Sequence, residues 1–435
     1  GPLKVERHVR QWDLKEIHDD VLVSNLQIEL ADSAAFRGRF KVAFLLKEKI
    51  FESSNKSWVR AQTRAHTAHI QTVQGRFRAA KKNLREADEL FFRAKFRTTA
   101  TQRWQLELLI AEGELDAAET IATSHEDMPE YLADIGVLRA DTSRALIVYT
   151  NVITRHMTHE RDNSVFQVCR GITHLIRKVH AAHALSPANL ESAWQLVESA
   201  GQWLIKTANH NPVWYDVLVP SLQAQVLILF DDRQKQALEA AELAVSLARS
   251  QWTQALARSL RIQVQCFAHV GLWKEMKQVI IDGMQAARAE DDLIELAMLQ
   301  AYDLARLVRK NANQEQIDTA KRVLCETFAE MSAPRVEGDI WLEIAPYLPL
   351  DTKSLNLLEI GDHVHDLFTE MPMPERASST MEWLGDIYAT RGNLHEAKNA
   401  YLMALKPLIA HGFELRRPVV QNKLDGLQIK IDALC

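Results

Sequence analysis

Apolar residues recur every three or four positions along most of this 435-residue chain, which is the period of an amphipathic α-helix. The pattern is clearest in residues 381–404, where Gly392 and Asn393 separate two apolar faces. These faces contain Met381, Leu384, Gly385 and Tyr388, and then Leu394, Ala397, Tyr401 and Ala404. We interpret the segment as a helical hairpin. The small residues Gly385 and Ala397 should allow close approach of the helices, while the tyrosines fill the space beside them.

The same hairpin pattern recurs along the chain, each time with a glycine at the turn. The turn glycines are Gly38, Gly75, Gly113, Gly271 and Gly392. Their intervals of 37, 38, 158 and 121 residues are multiples of a unit of about 40, which indicates stacked helix pairs. A degenerate copy places Asp232 at a turn.

The fold class predicted from this period is an all-α, right-handed superhelical solenoid of about ten hairpins, each packing on its neighbours in sequence. The sustained alternation of β-branched and polar residues that strands require is absent. We divide the chain as follows: residues 1–3, a tag scar; 4–127, basic N-terminal hairpins; 128–220, irregular hairpins; 221–330, regular hairpins; and 331–435, C-terminal hairpins with one well-matched repeat at 378–411 and a capping helix.

Leu384-Gly385 followed by Tyr388, and Ala397 followed by Tyr401, resemble the tetratricopeptide repeat. The chain departs from that pattern at Met381, where tryptophan is usual, and lacks the closing proline. The longer period of near 40 is similar to the tetratricopeptide-like sensor domains of STAND-class signalling ATPases, including the maltose-activator type. That resemblance implies a regulatory domain of a larger protein, in which ligand capture would bias assembly of an ATPase.

Proline-rich stretches interrupt the helical pattern. We expect residues 209–220, 330–352 and 370–378 to end helices and to form long loops or joints.

Composition adds few constraints on function. Residues 1–110 contain 21 Lys and Arg against 13 Asp and Glu, whereas the whole chain has a net charge of −5. The four cysteines lie far apart without CxxC spacing, which favours a reducing, cytoplasmic environment. No apolar run reaches the roughly 18 residues needed to cross a bilayer, and we expect no membrane partner.

Motifs for catalysis or cofactor binding are absent from the sequence. It contains no GxxxxGK[ST], GxGxxG or GxSxG motif and no HExxH, so we expect no enzyme activity and no cofactor. Histidine pairs three or two residues apart could share a metal ion, but none completes a ligand set, and we expect no metal. These pairs are His66 with His69, His156 with His159, His180 with His183, and His363 with His365.

The predicted function is therefore recognition of a protein or peptide in the concave groove of the solenoid, lined by the first helix of each hairpin. Side chains pointing away from the packing faces of these helices are the candidate partner-binding residues: His69, Arg103, Glu107, Arg258, Arg261 and Gln265. The partner could also be a domain elsewhere in a larger protein.

Two alternatives remain open. One is a regulatory domain that senses a small molecule between hairpins. The other is an anion or nucleic-acid site in residues 76–103, where phenylalanines are interleaved with basic residues. Its candidate residues are Arg76, Arg78, Lys81, Lys82 and Arg85. Helical spacing of the phenylalanines favours a core role, so we rank nucleic-acid binding below protein binding.

Overall fold

In the computed structural model, the described residues are helical apart from short connections. None of these residues forms a strand, and no helix among them is long and apolar enough to span a bilayer. The structure describes residues 28, 31, 40–95, 100–124, 129–138, 142–158, 187–207, 213–251, 255–371, 373–410 and 416–433. The turn predicted at Gly38 and two cysteines, Cys169 and Cys435, lie outside them.

Nineteen α-helices and one 3-10 turn, Ala345–Tyr347, make up the described part of the chain. The helices are α1 Phe40–Ser53, α2 Ser57–Val73, α3 Phe77–Arg93, α4 Ala100–Glu112, α5 Leu115–Thr123, α6 Pro129–Leu138, α7 Thr142–Thr158, α8 Pro187–Thr207, α9 Val213–Leu227, α10 Gln234–Gln251, α11 Leu256–Val270, α12 Met276–Glu290, α13 Leu293–Arg309, α14 Gln314–Met331, α15 Pro334–Ile344, α16 Leu357–Glu370, α17 Pro374–Thr390, α18 Leu394–Ala410 and α19 Arg417–Asp432.

The predicted turn glycines within the described residues all adopt a left-handed backbone. Their φ angles are 79° at Gly75, 89° at Gly113, 80° at Gly271 and 79° at Gly392. The amide after each glycine donates to a carbonyl five residues earlier, as Asn393 does to Tyr388 at 2.9 Å. Glycine adopts this conformation without steric cost, so the helix ends there and the chain reverses. The predicted hairpins are confirmed at these four turns.

A further turn of the same type has no glycine. Asn311 has φ 49°, and the amide of Ala312 donates to the carbonyl of Leu307 at 3.0 Å. Asparagine tolerates the left-handed region better than most residues, so it replaces glycine here. This turn lies 40 residues after Gly271, and it supplies one of the repeats that the 121-residue interval implied.

The hairpins form two layers. First helices of successive hairpins contact one another, in the series α2–α4–α6 and α9–α11–α13–α15. Second helices such as α3, α10, α12 and α14 pack on first helices and make no comparable contact with each other in the described part of the chain. The first helices are therefore the closely spaced inner layer, and the described array is a helical solenoid.

Small residues inside the helices permit close packing, as expected for Gly385. A Cβ atom at this position would lie 2.5 Å from Cε1 of Tyr401, well inside van der Waals contact. Ala397 is fully buried on the facing helix, and the Tyr401 hydroxyl donates to Asp386 at 2.7 Å. A larger residue than glycine would push helix α18 away from α17.

Contacts between distant hairpins go beyond the expected packing of sequence neighbours. The tip of hairpin α2–α3 meets the junction between α12 and α13. There the carbonyl of Gln74 accepts from the Leu293 amide at 3.1 Å, and Gln74 Nε2 donates to the carbonyl of Glu290 at 3.3 Å. Arg76 pairs with Asp291 at 2.7 Å.

The tip of the next hairpin, α4–α5, makes a similar contact with the start of α15. Arg335 at the start of α15 donates through Nε to the carbonyl of Ala111 at 2.7 Å, beside the α4–α5 turn. The two contacts join residues 216 and 224 positions apart. With a repeat of about 40 residues, this offset corresponds to about five or six hairpins. The solenoid thus curves until one turn of the array touches the next.

One expectation about proline is wrong and another holds in part. Pro220 lies inside α9 rather than at a helix end. Residues 330–352 and 370–378 do contain helix ends, at Met331, Ile344 and Glu370, but they are not continuous loops, because Pro334 and Pro374 begin helices α15 and α17. Proline suits the first helical position, where its missing N–H would have no partner within the helix.

We predict that Gly75→Ala destabilises the protein more than Gly392→Ala. Both glycines have φ 79°, but a Cβ at Gly75 would lie 2.9 Å from Cγ1 of Ile294, whereas nothing lies within 4 Å at Gly392. The left-handed backbone should cost each variant about 1–2 kcal/mol. The crowding should add about 1–3 kcal/mol at Gly75 alone. Equal shifts in urea unfolding midpoints would show that Ile294 does not crowd an added methyl group at Gly75.

Candidate functional site on the inner helices

The six candidate partner-binding residues all lie on inner-layer helices. His69 is on α2, Arg103 and Glu107 are on α4, and the other three, Arg258, Arg261 and Gln265, are on α11. The structure therefore divides them between an N-terminal and a C-terminal stretch of the inner wall. These two stretches differ in how much of their polar surface is accessible.

On the N-terminal stretch, two candidate residues contact each other. His69 Nδ1 lies 2.8 Å from a carboxylate oxygen of Glu107, and the Tyr131 hydroxyl of α6 donates to the other oxygen at 2.8 Å. One carboxylate thus connects three successive inner helices. The Tyr131 hydrogen bond fixes the Glu107 carboxylate in place, and the carboxylate in turn fixes the orientation of the His69 ring.

An aromatic contact completes this arrangement. The His69 ring stacks on Trp104 with centroids 4.0 Å apart, and His66 meets the same indole edge-on at 5.5 Å. Both histidines, Trp104 and Arg103 are half-buried. Arg103 lies one helical turn before Glu107. Arg103 itself forms no ion pair in the described part of the chain. We name His66, His69, Arg103, Trp104 and Glu107 the inner patch.

The indole N–H of Trp104 is buried and has no hydrogen-bond partner in the described structure. An unsatisfied buried donor costs about 1–3 kcal/mol, so the packing around the ring must offset it. Sequence reasoning did not select Trp104. A tryptophan directly after Arg103 and within the same helix was the only available signal.

On the C-terminal stretch, two candidates are not exposed as expected. Arg261 is 9% exposed and Gln265 is 1% exposed. Arg261 Nε lies 2.5 Å from the Glu295 carboxylate on α13, and this carboxylate raises the pKa of the guanidinium against the opposing effect of burial. Gln265 Nε2 donates to Glu343 on α15 at 2.8 Å. The strong curvature of the array brings these helices together over the faces that were expected to remain open.

Glu343 is a shared acceptor at the centre of this stretch. The Tyr302 hydroxyl donates to it at 2.7 Å. Burial and the Glu343 carboxylate raise the pKa of Tyr302, which keeps this hydroxyl protonated as a donor. One helix further along, Arg376 of α17 pairs with Asp339 of α15 at 3.0 Å. The inner helices from α11 to α17 are thus joined by polar contacts that occupy the side chains facing inward.

Arg258 is half-buried near the α12–α13 junction, beside Asp292. The Asp292 carboxylate caps α13 by accepting from the Glu295 amide at 3.1 Å. Burial, together with the Glu295 carboxylate, raises the pKa of Asp292 to about 7, while Arg258 and Arg261 partly oppose the shift. This carboxyl group adjoins Asp291, the residue that pairs with Arg76 between turns of the array.

The candidate anion-binding residues separate into two groups. Arg76 pairs with Asp291 and Glu330, and Lys81 pairs with Glu112 at 3.0 Å. The other three, Arg78, Lys82 and Arg85, are exposed on α3. Among the interleaved phenylalanines, Phe91 is buried as expected, whereas Phe92 is 85% exposed. Phe96 and Arg97 lie outside the described residues.

The histidine pairs have other roles where the structure describes them. His66 and His69 flank Trp104, and His363 contacts Glu337 at 2.9 Å. No group of three or more potential metal ligands occurs among the described residues. His159, His180 and His183 lie outside them.

Comparison with known proteins does not identify a family. No protein-family model matches the chain, and no curated protein matches it. Among solved structures, the chain is similar to a circular tandem repeat protein with novel repeat topology and enhanced subunit contact surfaces. The identity is 14%, the alignment covers 99% of this chain and 94% of that chain, and the TM-score is 0.17. Two chains with so low a score do not superpose as a whole, so the fold described above rests on the helices and their contacts.

We predict that Arg261→Ala destabilises the protein by about 3–5 kcal/mol, because it leaves Glu295 buried without its cation. Arg322→Ala is the matched control, since Arg322 and its partner Glu326 are exposed on α14. That change should cost at most about 0.5 kcal/mol. The double variant Arg261→Met/Glu295→Leu should recover much of the loss, because no buried charge remains. Urea unfolding measures all three, and an Arg261→Ala effect no larger than that of Arg322→Ala would contradict the buried pair.

We also predict a pH dependence from Asp292. Its pKa is higher in the folded state than the ordinary 3.8, so its contribution to stability is full below about pH 4 and is lost as the pH rises to about 7. Asp292→Asn keeps an acceptor for the Glu295 amide but cannot ionise. At pH 8 the free energy of unfolding of Asp292→Asn should exceed that of wild type by about 1–2 kcal/mol. This is less than the full pKa shift would give, because the side chain is partly accessible to solvent.

The matched control for this cap is Asn313→Asp at the exposed start of α14, where the Asn313 side chain accepts from the Gln316 amide at 2.9 Å. An exposed carboxylate there should stabilise the helix above pH 4, whereas the ionised carboxylate at Asp292 destabilises the protein. Thermal unfolding across pH 4–8 compares them. Parallel curves for wild type and Asp292→Asn would show that Asp292 ionises normally.

Proposed function

We propose that the chain is a non-catalytic protein-interaction scaffold that binds a peptide segment of a partner on the inner patch. The observation that carries this proposal is the contrast along the inner wall. From α11 to α17, Arg261, Gln265 and Arg376 are engaged by carboxylates of neighbouring inner helices. The inner patch instead presents a half-exposed indole and an arginine that forms no ion pair with any described residue.

The chemistry of the inner patch suits peptide recognition. Tryptophan and arginine are the residue types most often responsible for binding energy at protein interfaces. The His69–Glu107–Tyr131 contact holds the aromatic pair in one arrangement before a partner arrives, which lowers the entropic cost of binding. The guanidinium donors of Arg103 favour a segment that offers carboxylate or carbonyl acceptors.

The finer expectation, a tetratricopeptide-like sensor within a larger signalling protein, is supported by the repeat around Gly385 and the period of about 40 residues. Under this proposal the bound segment could belong to another domain of the same protein. A cytoplasmic setting and the absence of enzyme activity are parts of the same proposal. Sensing of a small molecule is the alternative, and no described feature of the inner patch favours it over a peptide.

We predict that His66→Ala/Arg103→Glu loses the partner, because it removes an edge-on ring and reverses the unpaired charge. Quantitative affinity capture from the native cell should show at least about a tenfold loss of the partner, corresponding to about 1.4 kcal/mol. Arg288→Glu, which makes the same charge change at an exposed position of the outer helix α12, should retain it.

Trp104→Phe is a second, conservative variant. It preserves a stacking ring and removes the N–H that has no hydrogen-bond partner, so it should keep most of the binding. Circular dichroism melts establish that each variant is folded. If wild type and His66→Ala/Arg103→Glu capture the same proteins in equal amount, the inner patch is not the binding site. The description of the fold would be unaffected.

A further inference from the structure

The helices α1 and α3 both pack on α2, and one acidic side chain of each turns inward. Arg64 of α2 pairs with Glu48 of α1 at 2.6 Å and with Glu86 of α3 at 3.1 Å. One guanidinium therefore contacts a carboxylate from each neighbour. These two carboxylates are neutralised beneath the outer surfaces of α1 and α3.

The outer surface of this helix pair is rich in unpaired cations. Five basic residues are exposed there, and in the described part of the chain none forms an ion pair: Lys41, Lys49, Arg78, Lys82 and Arg85. Among the exposed acids, Glu52 lies on α1, Asp88 lies at the edge of α3 toward Thr101, and Glu89 faces Arg93 at 3.7 Å. The surface keeps a positive balance, although the whole chain is acidic.

Large apolar side chains project among these cations. Val42 is 46% exposed, Leu45 is 71% exposed and Phe92 is 85% exposed. Leu45 shares the outer face of α1 with Lys41 and Lys49. Phe92 lies near the end of α3, two helical turns beyond Arg85. We name these three apolar residues and the five cations the basic outer face.

Against the expectation from the sequence that no membrane partner exists, we propose that the basic outer face binds the surface of a membrane that contains anionic lipid. The cations would contact the headgroups while Leu45 and Phe92 enter the boundary between headgroups and acyl chains. Cationic side chains near an anionic bilayer and partly inserted apolar side chains are the two contributions that together give peripheral binding. Both occur here on α1 and α3, the two helices that pack on α2.

The arrangement fits a membrane better than a protein or a nucleic acid. A protein interface has a continuous apolar centre with charges at its rim, whereas here separate apolar side chains stand among charges. Single-stranded nucleic acid is bound by several aromatic residues in succession, and this face exposes one, Phe92, together with two aliphatic side chains that have no role on a phosphate backbone.

Vesicle co-sedimentation of the full chain tests this proposal. The probes are vesicles of phosphatidylcholine alone and of phosphatidylcholine with about one-third phosphatidylserine, each at low and high salt. Wild type should sediment only with the phosphatidylserine vesicles, and high salt should weaken the binding because the charges are screened.

Three variants make the test specific. Lys82→Glu/Arg85→Glu should lower the partition coefficient at least about tenfold, and Leu45→Ser/Phe92→Ser should lower it about three- to tenfold. Lys277→Glu/Arg288→Glu, a double reversal at exposed positions of α12, is the matched control and should bind within about twofold of wild type after allowance for net charge. Circular dichroism melts confirm folding.

Several results would overturn the proposal. One is absence of sedimentation with phosphatidylserine vesicles, and another is equal loss in the α12 control. A third is that wild type binds single-stranded oligonucleotide or polyglutamate but not vesicles, and that Lys82→Glu/Arg85→Glu loses this binding. That result would make the face a polyanion site. His66→Ala/Arg103→Glu should leave vesicle binding unchanged, which separates this proposal from the function of the inner patch.

Discussion

Five hairpins of the described array depend on the left-handed residue that closes their first helix. An amphipathic helix of 13 to 17 residues, such as α2 or α4, cannot bury its apolar face alone. The turns at Gly75, Gly113, Gly271, Asn311 and Gly392 let the second helix reverse direction and cover it. Each completed hairpin still has an apolar side, so it must pack on the next. The tight contact of Gly385 with Tyr401 shows how little space the packing leaves.

Curvature then divides the inner wall into two regions with different properties. Between α11 and α17 the inner helices approach closely enough for charged side chains to pair across them, as Arg261 does with Glu295. Such pairs contribute little net stability over apolar packing, but the loss of one partner is costly, which favours one register of the helices. Around α2 and α4 the wall keeps accessible aromatic and cationic groups. The closed stretch therefore serves structure, and under our proposal the open stretch serves recognition.

Prediction from the sequence succeeded where the signal was local. Four turn glycines, the helical hairpins and the small residues at close contacts followed from spacing and from the steric freedom of glycine. The turn at Asn311 was not predicted because asparagine is common outside turns as well. Pro220 was misplaced because a single proline inside a helix has the same local signature as a helix end. The sequence placed all six candidate residues on first helices, as the structure does, but it wrongly predicted that Arg261 and Gln265 are exposed.

The sequence by itself determined the class of fold: which segments are helices, where most of them turn back, and which faces are apolar. These properties depend on interactions within a few residues or between adjacent helices. Only the tertiary structure decided which polar side chains of the inner helices remain accessible, because that depends on curvature summed over many hairpins. The curvature brings Gln74 to Glu290 across 216 residues and closes Glu343 over Gln265 across 78. No short-range pattern contains that information, since each hairpin adds only a small rotation to the next.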